Sequence, residues 1–158
     1  MSQFIIISES VLKACISEIT LDPDNPQVVT IKPHKESRSS AQRRLMWMWY
    51  TEIGKQQGET KETIRNRLMY RYGVGIFYLF DIHTNGVSSV ETIDSIKKLK
   101  ILGLNHEYQQ MMKSFVAVVS SNSFDVKQNK MYLDFIQQYA IENGLGLTFP
   151  DDLKYALE

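Results

Sequence analysis

The chain has 158 residues and a formal net charge of zero, with 18 Lys or Arg against 18 Asp or Glu, and this length predicts a single domain over residues 1–158. Its single Cys15 excludes an internal disulfide and a multi-cysteine metal site. No apolar run approaches the roughly 20 residues that cross a bilayer, and no basic flank precedes the first apolar run, so we expect a cytoplasmic protein without membrane contact.

The N-terminal segment predicts a strand, a helix and a second strand. Phe4–Ile7 is a short apolar run with β-branched residues, and Gln27–Pro33 repeats this character after a turn-rich segment. Between them, apolar residues recur at helical spacing after Ser8, which is a favourable N-cap.

Two helices are predicted next. The first runs from about Ser39 to Gln57 and ends at Gly58. Leu45, Trp49 and Ile53 fall four residues apart on one side of it, and we predict that this stripe faces the core. The second begins at about Thr60, with arginines on its polar side. These helices contain seven of the 18 Lys and Arg residues of the chain.

The middle of the chain is less regular. The aromatic run GVGIFYLF fits a strand, a buried helix end or an interface segment, and periodicity does not choose among them. A helix capped by Ser88 or Ser89 follows it, and one or two further helical turns come after that.

The last part of the chain predicts one strand and one helix. Ser114–Ser120 favours a strand because its apolar residues are largely β-branched or aromatic. Asp125 with Gln128 forms a capping-box pattern before a helix with regular apolar spacing. We therefore predict an α+β fold in which a small three-stranded sheet, from Phe4–Ile7, Gln27–Pro33 and Ser114–Ser120, packs with helices.

Residues for metal or acid–base chemistry are scattered. The three histidines lack a second ligand at the spacing of a zinc or nuclease site. Asp81 with His83, and Asp151 with Asp152, are isolated pairs that could hold Mg²⁺ only with further ligands. We therefore expect no catalytic residue, no metal and no cofactor, and keep a metal-dependent nuclease as an alternative.

Positive charge is concentrated in one third of the chain. From Lys32 to Arg71 there are ten Lys or Arg and four acids, whereas the segments on either side carry a net negative charge. Within this third, RSSAQRRLMWMWY places arginines beside tryptophans. Cations that follow phosphates and rings that stack on bases are the two requirements of single-strand binding.

Trp47 has two interpretations. On a helix, Arg43 and Arg44 lie four and three residues before it and share its side, which places Trp47 away from the Leu45 stripe and beside a nucleic acid. The alternative is a core tryptophan on a wide apolar face, which spacing alone favours.

These residues resemble the NinB, or Orf, family of phage recombination proteins. The strand end VVTIKP, a basic loop and RSSAQRRLMWMWYTEIGKQ are similar to the family signature, in which Arg-Ser is followed by Gln-Asn-Arg and an apolar-Trp pair. FVAVVSSNSFDVKQNKMYLDFIQQYAIENGLGL is similar to the last strand and helix of that family. The resemblance covers the first 60 and last 50 residues, and 72–112 is unaligned and fits a family-specific insertion.

The resemblance implies a non-catalytic mediator of phage recombination, encoded by a phage or prophage and active in the bacterial cytoplasm. It implies an intertwined homodimer that binds single-stranded DNA and assists exchange of host single-strand-binding protein for a recombinase. The family motif falls on Arg38, Ser39, Gln42, Arg44 and Trp47. Charge and position add Lys32, Lys35 and Arg43, and Arg43 stands where the family has Asn, which predicts a phosphate contact there.

One further alternative remains open from the residues. A phage adaptor or regulatory protein would bind a protein partner through GIFYLF and use the basic helix only for solubility.

Overall fold

The computed structural model describes residues 4–20, 22–32 and 36–158. The chain divides into two units, a smaller one that ends at Glu36 and a larger one, Ser37–Glu158. The α-helices are α1 (Glu9–Ser17), α2 (Arg38–Gln57), α3 (Lys61–Leu68), α4 (Val74–Leu79), α5 (Ser89–Ile101), α6 (Asn105–Val118) and α7 (Val126–Glu142). A π-helix, Met69–Gly73, joins α3 to α4, and 3₁₀ helices occupy Ser121–Ser123 and Asp151–Leu157.

The smaller unit contains α1, and its other described residues belong to no helix or strand. Ser8 caps α1 by accepting a hydrogen bond from the Val11 amide, which confirms the predicted helix start. No residue of α1 is buried, and Cys15 is half-buried. A segment of about 36 residues has too little volume to bury a helix face by itself, because surface area dominates in short chains.

The first two predicted strands are wrong as strands. Among the described residues, neither Phe4–Ile7 nor the described part of Gln27–Pro33 belongs to a strand, and Pro33 lies outside them. Val28 is 91% exposed. β-branched residues favour an extended backbone, but a sheet also requires a second segment at hydrogen-bonding distance, which local sequence does not specify.

The third predicted strand, Ser114–Ser120, is also wrong because α6 continues through Val118. The buried residues of α6 and its C-cap recur at helical spacing: Met112, Phe115, Val116 and Val119. Packing of this face outweighs the modest strand preference of β-branched residues. The single β-bridge among the described residues joins Thr84 to Val87 in a turn, so this part of the chain is all-helical and the predicted α+β fold is incorrect.

The core of the larger unit is built where α2 packs against α7. The Tyr50 hydroxyl donates to the Tyr132 hydroxyl at 3.0 Å, and both rings are buried. Burial raises the pKa of Tyr50 to about 12, opposed by the hydrogen bond to Tyr132. The helix start predicted at Asp125 is confirmed, with both bonds of the capping box to Gln128 present.

The aromatic run GVGIFYLF forms the end of the π-helix, all of α4 and its C-cap, which answers the question that periodicity left open. Ile76 and Phe77 are buried. The centroid of the Phe77 ring lies 5.9 Å from that of Phe115 and 4.9 Å from that of Phe124. Leu79 is 68% exposed at the end of α4. The segment is therefore half core and half surface.

The turn from α2 to α3 depends on two glycines, Gly54 and Gly58. A Cβ on Gly54 would lie 2.5 Å from the Glu59 carbonyl oxygen, so only glycine allows this close approach. Gly58 then ends α2 in the left-handed conformation, with φ of 71°, as predicted. Together they bring the start of α3 back beside α2.

Across residues 4–20, 22–32 and 36–158, none of the helices is both long enough and apolar enough to span a bilayer.

Candidate nucleic-acid interface

The first turns of α2 are organised by serines. The Ser37 hydroxyl caps the helix by accepting from the Ser40 amide at 3.3 Å, and it donates to the Ser40 hydroxyl at 2.9 Å. The Arg43 guanidinium in turn donates to the Ser40 hydroxyl at 3.4 Å. These bonds fix the start of the helix and hold the half-buried Arg43 side chain against its first turn.

The buried face of α2 excludes Trp47. Leu45, Trp49 and Ile53 are fully buried, as the predicted stripe required. Trp49 also donates from its indole nitrogen to the Thr148 carbonyl oxygen at 2.8 Å. Trp47, which lies about 200° from Trp49 in helical phase, is 43% exposed. The core interpretation of Trp47 therefore does not fit its position.

Two neighbours hold the Trp47 ring in place. Tyr50 packs edge-on against it with ring centroids 5.3 Å apart. The Lys61 ammonium group lies 5.8 Å from its centroid, within the range of a cation–π contact. Arg43 and Arg44 precede it by about one helical turn. We call Arg43, Arg44, Trp47 and Lys61 the Trp47 surface.

Arg44 is both exposed and paired. Its guanidinium donates to the Asp152 carboxylate at 2.8 Å, and both side chains are more than half exposed. The carboxylate comes from the C-terminal 3₁₀ helix, which packs against α2. An exposed pair of this kind contributes only about 0–1 kcal/mol, so Arg44 can exchange its carboxylate for a phosphate at small cost.

Arg38 and Ser39 begin α2, and both are half-buried. The Nε atom of Arg38 is buried and has no hydrogen-bond partner among the described residues. The structure thus places these two predicted site residues at the helix start, about two turns from Trp47, with only part of each side chain available to a ligand.

Gln42 has a different environment from its predicted one. Its side chain is fully buried, and its amide nitrogen donates to the carbonyl oxygens of Val126 at 3.1 Å and Ala156 at 3.0 Å. A side chain enclosed in this way presents no atom to DNA. It instead joins α2 to the start of α7 and to the C-terminal 3₁₀ helix.

The two remaining predicted residues lie outside the larger unit. Lys32 is exposed in the smaller unit, and Lys35 falls outside the described residues. Within the larger unit, the structure brings together Arg43, Arg44 and Trp47.

Sequence reasoning missed two members of this region, Lys61 and Asp152. Lys61 follows the N-cap Thr60, and the short turn after Gly58 was a signal that α3 folds back on α2. No local signal connects Asp152 to Arg44, because 108 residues separate them.

The acidic pairs considered for metal binding serve other contacts. Asp81 accepts hydrogen bonds from the Ser88 hydroxyl at 2.6 Å and the Val90 amide at 3.1 Å, which lower its pKa and fix the start of α5. Asp151 pairs with Lys154. Within the described ranges, no group of three or more His, Cys, Asp or Glu side chains is placed to hold a metal ion.

Comparison with protein-family models, with curated proteins and with solved structures finds no match to this chain.

Proposed function

We propose that this protein binds single-stranded DNA through the Trp47 surface and acts as a non-catalytic mediator of phage-type recombination. The observation that carries the proposal is the exposure of the Trp47 ring beside three cations, because single-strand binding combines an aromatic plane with cations that follow the phosphates. A base stacks on this ring, and its phosphates contact Arg43, Arg44 and Lys61.

The sequence resemblance to the NinB family supports the biological role. It is the basis for a homodimer, for contact with host single-strand-binding protein and for recombinase loading. Arg44 and Trp47 are family-motif positions that also lie on the exposed side of α2. Gln42 is a motif position without such exposure, and we assign it to the core.

The protein-adaptor alternative has one observation in its favour. Leu79 and Phe80, at the end of the GIFYLF segment, are 68% and 36% exposed. Exposed apolar residues next to a rigid core are typical of interface anchors. A partner protein at this site would leave the Trp47 surface unused.

Equilibrium binding tests the proposal against both alternatives. Labelled single-stranded, duplex and branched DNA are titrated with the protein, with and without Mg²⁺. We expect preference for single strands, no cleavage, and an affinity that falls with salt with a slope of about −3 to −4, as for four to six neutralised phosphates. Cleavage in Mg²⁺ favours the nuclease, and absence of binding favours the adaptor.

Intrinsic fluorescence locates the contact. The chain has only two tryptophans, and Trp49 is buried. Quenching by a bound single strand should therefore be lost in Trp47→Phe, which retains Trp49 alone. Lys98→Ala, an exposed lysine on α5, serves as the control for unspecific loss of charge. Unchanged quenching in Trp47→Phe contradicts the proposed surface.

A further inference from the structure

A second basic and aromatic site lies between α3, the π-helix and α6. It is a groove of about 740 Å³. We call it the Tyr70 groove, and its lining residues are Asn66, Arg67, Tyr70, Arg71, Lys113 and Val116. Sites that enclose small organic ligands have volumes of about 300–1,000 Å³, so the groove can hold one or two nucleotides.

The rim of the groove carries three cations against two acids. Arg67 pairs with Glu59 at 2.6 Å, and Arg71 lies 3.7 Å from Glu142. All four side chains are partly exposed, so a phosphate can compete for either arginine at small cost. Lys113 is exposed on the opposite wall. The groove therefore favours an anionic ligand.

Aromatic surface lies next to these cations. Tyr70 is 37% exposed, and its hydroxyl interacts with that of Tyr108, which is half-buried. The Lys100 ammonium group lies 5.5 Å from the Tyr108 ring. A ring between cations is the combination that binds a base and its phosphate together. The Asn66 side-chain oxygen accepts from the Arg65 guanidinium at 2.9 Å, and its amide nitrogen adds a donor for a base edge.

The π-helix explains why Tyr70 and Arg71 face outward. Met69 and Gly73 are both buried, and the residues between them are exposed or half-buried. A π-turn inserts one extra residue, which lets the backbone bulge there, and such insertions are frequent at functional sites. A Cβ on Gly73 would lie 2.0 Å from the Met69 sulfur, so a larger residue there would have to displace the buried Met69 side chain.

We propose that the Tyr70 groove binds a second stretch of the single strand that the Trp47 surface holds. This proposal rests on the proposed function and names a further part of its DNA path. Lys61 belongs to the Trp47 surface and begins the helix that leads to the groove. From Lys61 to Arg71 the helix rises about 15 Å along its axis, so at least about five nucleotides at the stacked spacing of about 3.4 Å are needed to join the two sites.

Oligonucleotide length separates the two sites. An oligomer of about four thymidines reaches one site only, whereas one of about 12 reaches both. We expect Lys113→Glu and Tyr70→Ala each to weaken binding of the longer oligomer about 5-fold or more. Neither should change binding of the shorter oligomer beyond about 2-fold, because the Trp47 surface remains intact. Lys98→Glu makes the same charge change on α5 and serves as the matched control.

Photocrosslinking provides a second measurement that does not depend on a variant. A longer oligomer with 5-iododeoxyuridine at one end is irradiated in the wild-type complex, and the crosslinked peptides are identified by mass spectrometry. We expect crosslinks to the peptide that contains Tyr70. Their absence, together with a Lys113→Glu variant that binds like Lys98→Glu, overturns the proposal.

The outcomes separate this inference from the proposed function. If Trp47→Ala weakens binding of both oligomers and the groove variants match the control, the proposed function stands and the groove proposal fails. If the groove variants weaken binding and Trp47→Ala does not, the groove binds DNA and the Trp47 surface fails. If neither set matters, both proposals fail.

Discussion

The guanidinium of Arg44 lies 2.8 Å from the carboxylate of Asp152, which belongs to the C-terminal 3₁₀ helix. This carboxylate therefore holds the position in which we propose that a DNA phosphate binds Arg44. Both side chains are more than half exposed. A bound phosphate must replace this carboxylate or share the arginine with it. Under the proposed function, we therefore expect Asp152 to lower the affinity of the Trp47 surface for DNA.

Asp152→Asn should raise single-strand affinity about 2- to 5-fold at low salt, because an exposed pair contributes about 0–1 kcal/mol. Asp151→Asn is the matched control, since it removes the same charge from the neighbouring residue, which pairs with Lys154. Fluorescence anisotropy measures both variants. Equal gains would show that net charge alone sets the affinity and that Arg44 binds no phosphate.

The two tryptophans of α2 should respond in opposite ways. Trp47→Ala should cost about 1–3 kcal/mol of DNA binding through lost base stacking, with nearly unchanged stability. Trp49→Ala should cost about 3–5 kcal/mol of unfolding free energy, because it leaves a cavity and an unpaired Thr148 carbonyl. Urea denaturation and binding titrations measure the two effects. Loss of stability in Trp47→Ala with full DNA affinity would contradict this assignment.

Gln42→Ala should destabilise the protein by about 1–3 kcal/mol, because it removes one buried and one partly buried hydrogen bond and leaves a cavity, although it also removes a buried amide oxygen without a partner among the described residues. DNA affinity should be unchanged under conditions where the variant is folded. Gln109→Ala, an exposed glutamine of α6, is the control and should change stability by less than about 0.5 kcal/mol. Weaker DNA binding by folded Gln42→Ala would show that Gln42 contributes to the DNA interface.

Gln42 also shows where reasoning from sequence stops. Its partners Val126 and Ala156 lie 84 and 114 residues away, and no local pattern joins these segments to α2. Helical phase placed Trp47 away from the stripe of Leu45, Trp49 and Ile53, but spacing alone still favoured a core tryptophan on a wide apolar face. Sequence therefore indicated the side of the helix but not which polar residues the core would enclose.

The elements of the fold divide in a similar way. Helix starts at Ser8, Thr60, Ser88 and Asp125 were predictable because a cap is a contact within four residues. The three strands were not, since pairing depends on distant segments. For Ser114–Ser120, strand propensity was the wrong guide because the apolar residues extend a helical face that begins at Met112.

The Tyr50–Tyr132 pair predicts a loss of stability at alkaline pH. Burial raises the pKa of both phenols, that of Tyr50 to about 12, above the ordinary value of 10.0. The folded state then holds protons that the unfolded state releases, so stability is complete below about pH 10 and falls as pH rises to about 12. The Tyr50 contribution amounts to about 2–3 kcal/mol.

Urea denaturation from about pH 8 to pH 12 measures this loss, with tyrosinate absorbance as the direct readout. Above about pH 10, the free energy of unfolding of Tyr50→Phe should fall less steeply than that of the wild type. The value for each protein at pH 8 serves as its reference. Parallel declines in both proteins would show that Tyr50 titrates as an exposed phenol.

The protein should form a homodimer, and the exposed end of the GIFYLF segment is the surface that we expect to mediate it. Leu79 and Phe80 continue directly from the buried Ile76 and Phe77, so they are held rigidly and lose little entropy on association. Light scattering at micromolar concentration should give twice the chain mass of 18.3 kDa. Leu79→Ser should shift the protein toward monomer, whereas Ile101→Ser, which removes an exposed apolar residue of α5, should not. A wild-type mass of 18.3 kDa would contradict the dimer, and a dimer that persists in Leu79→Ser would move its interface elsewhere.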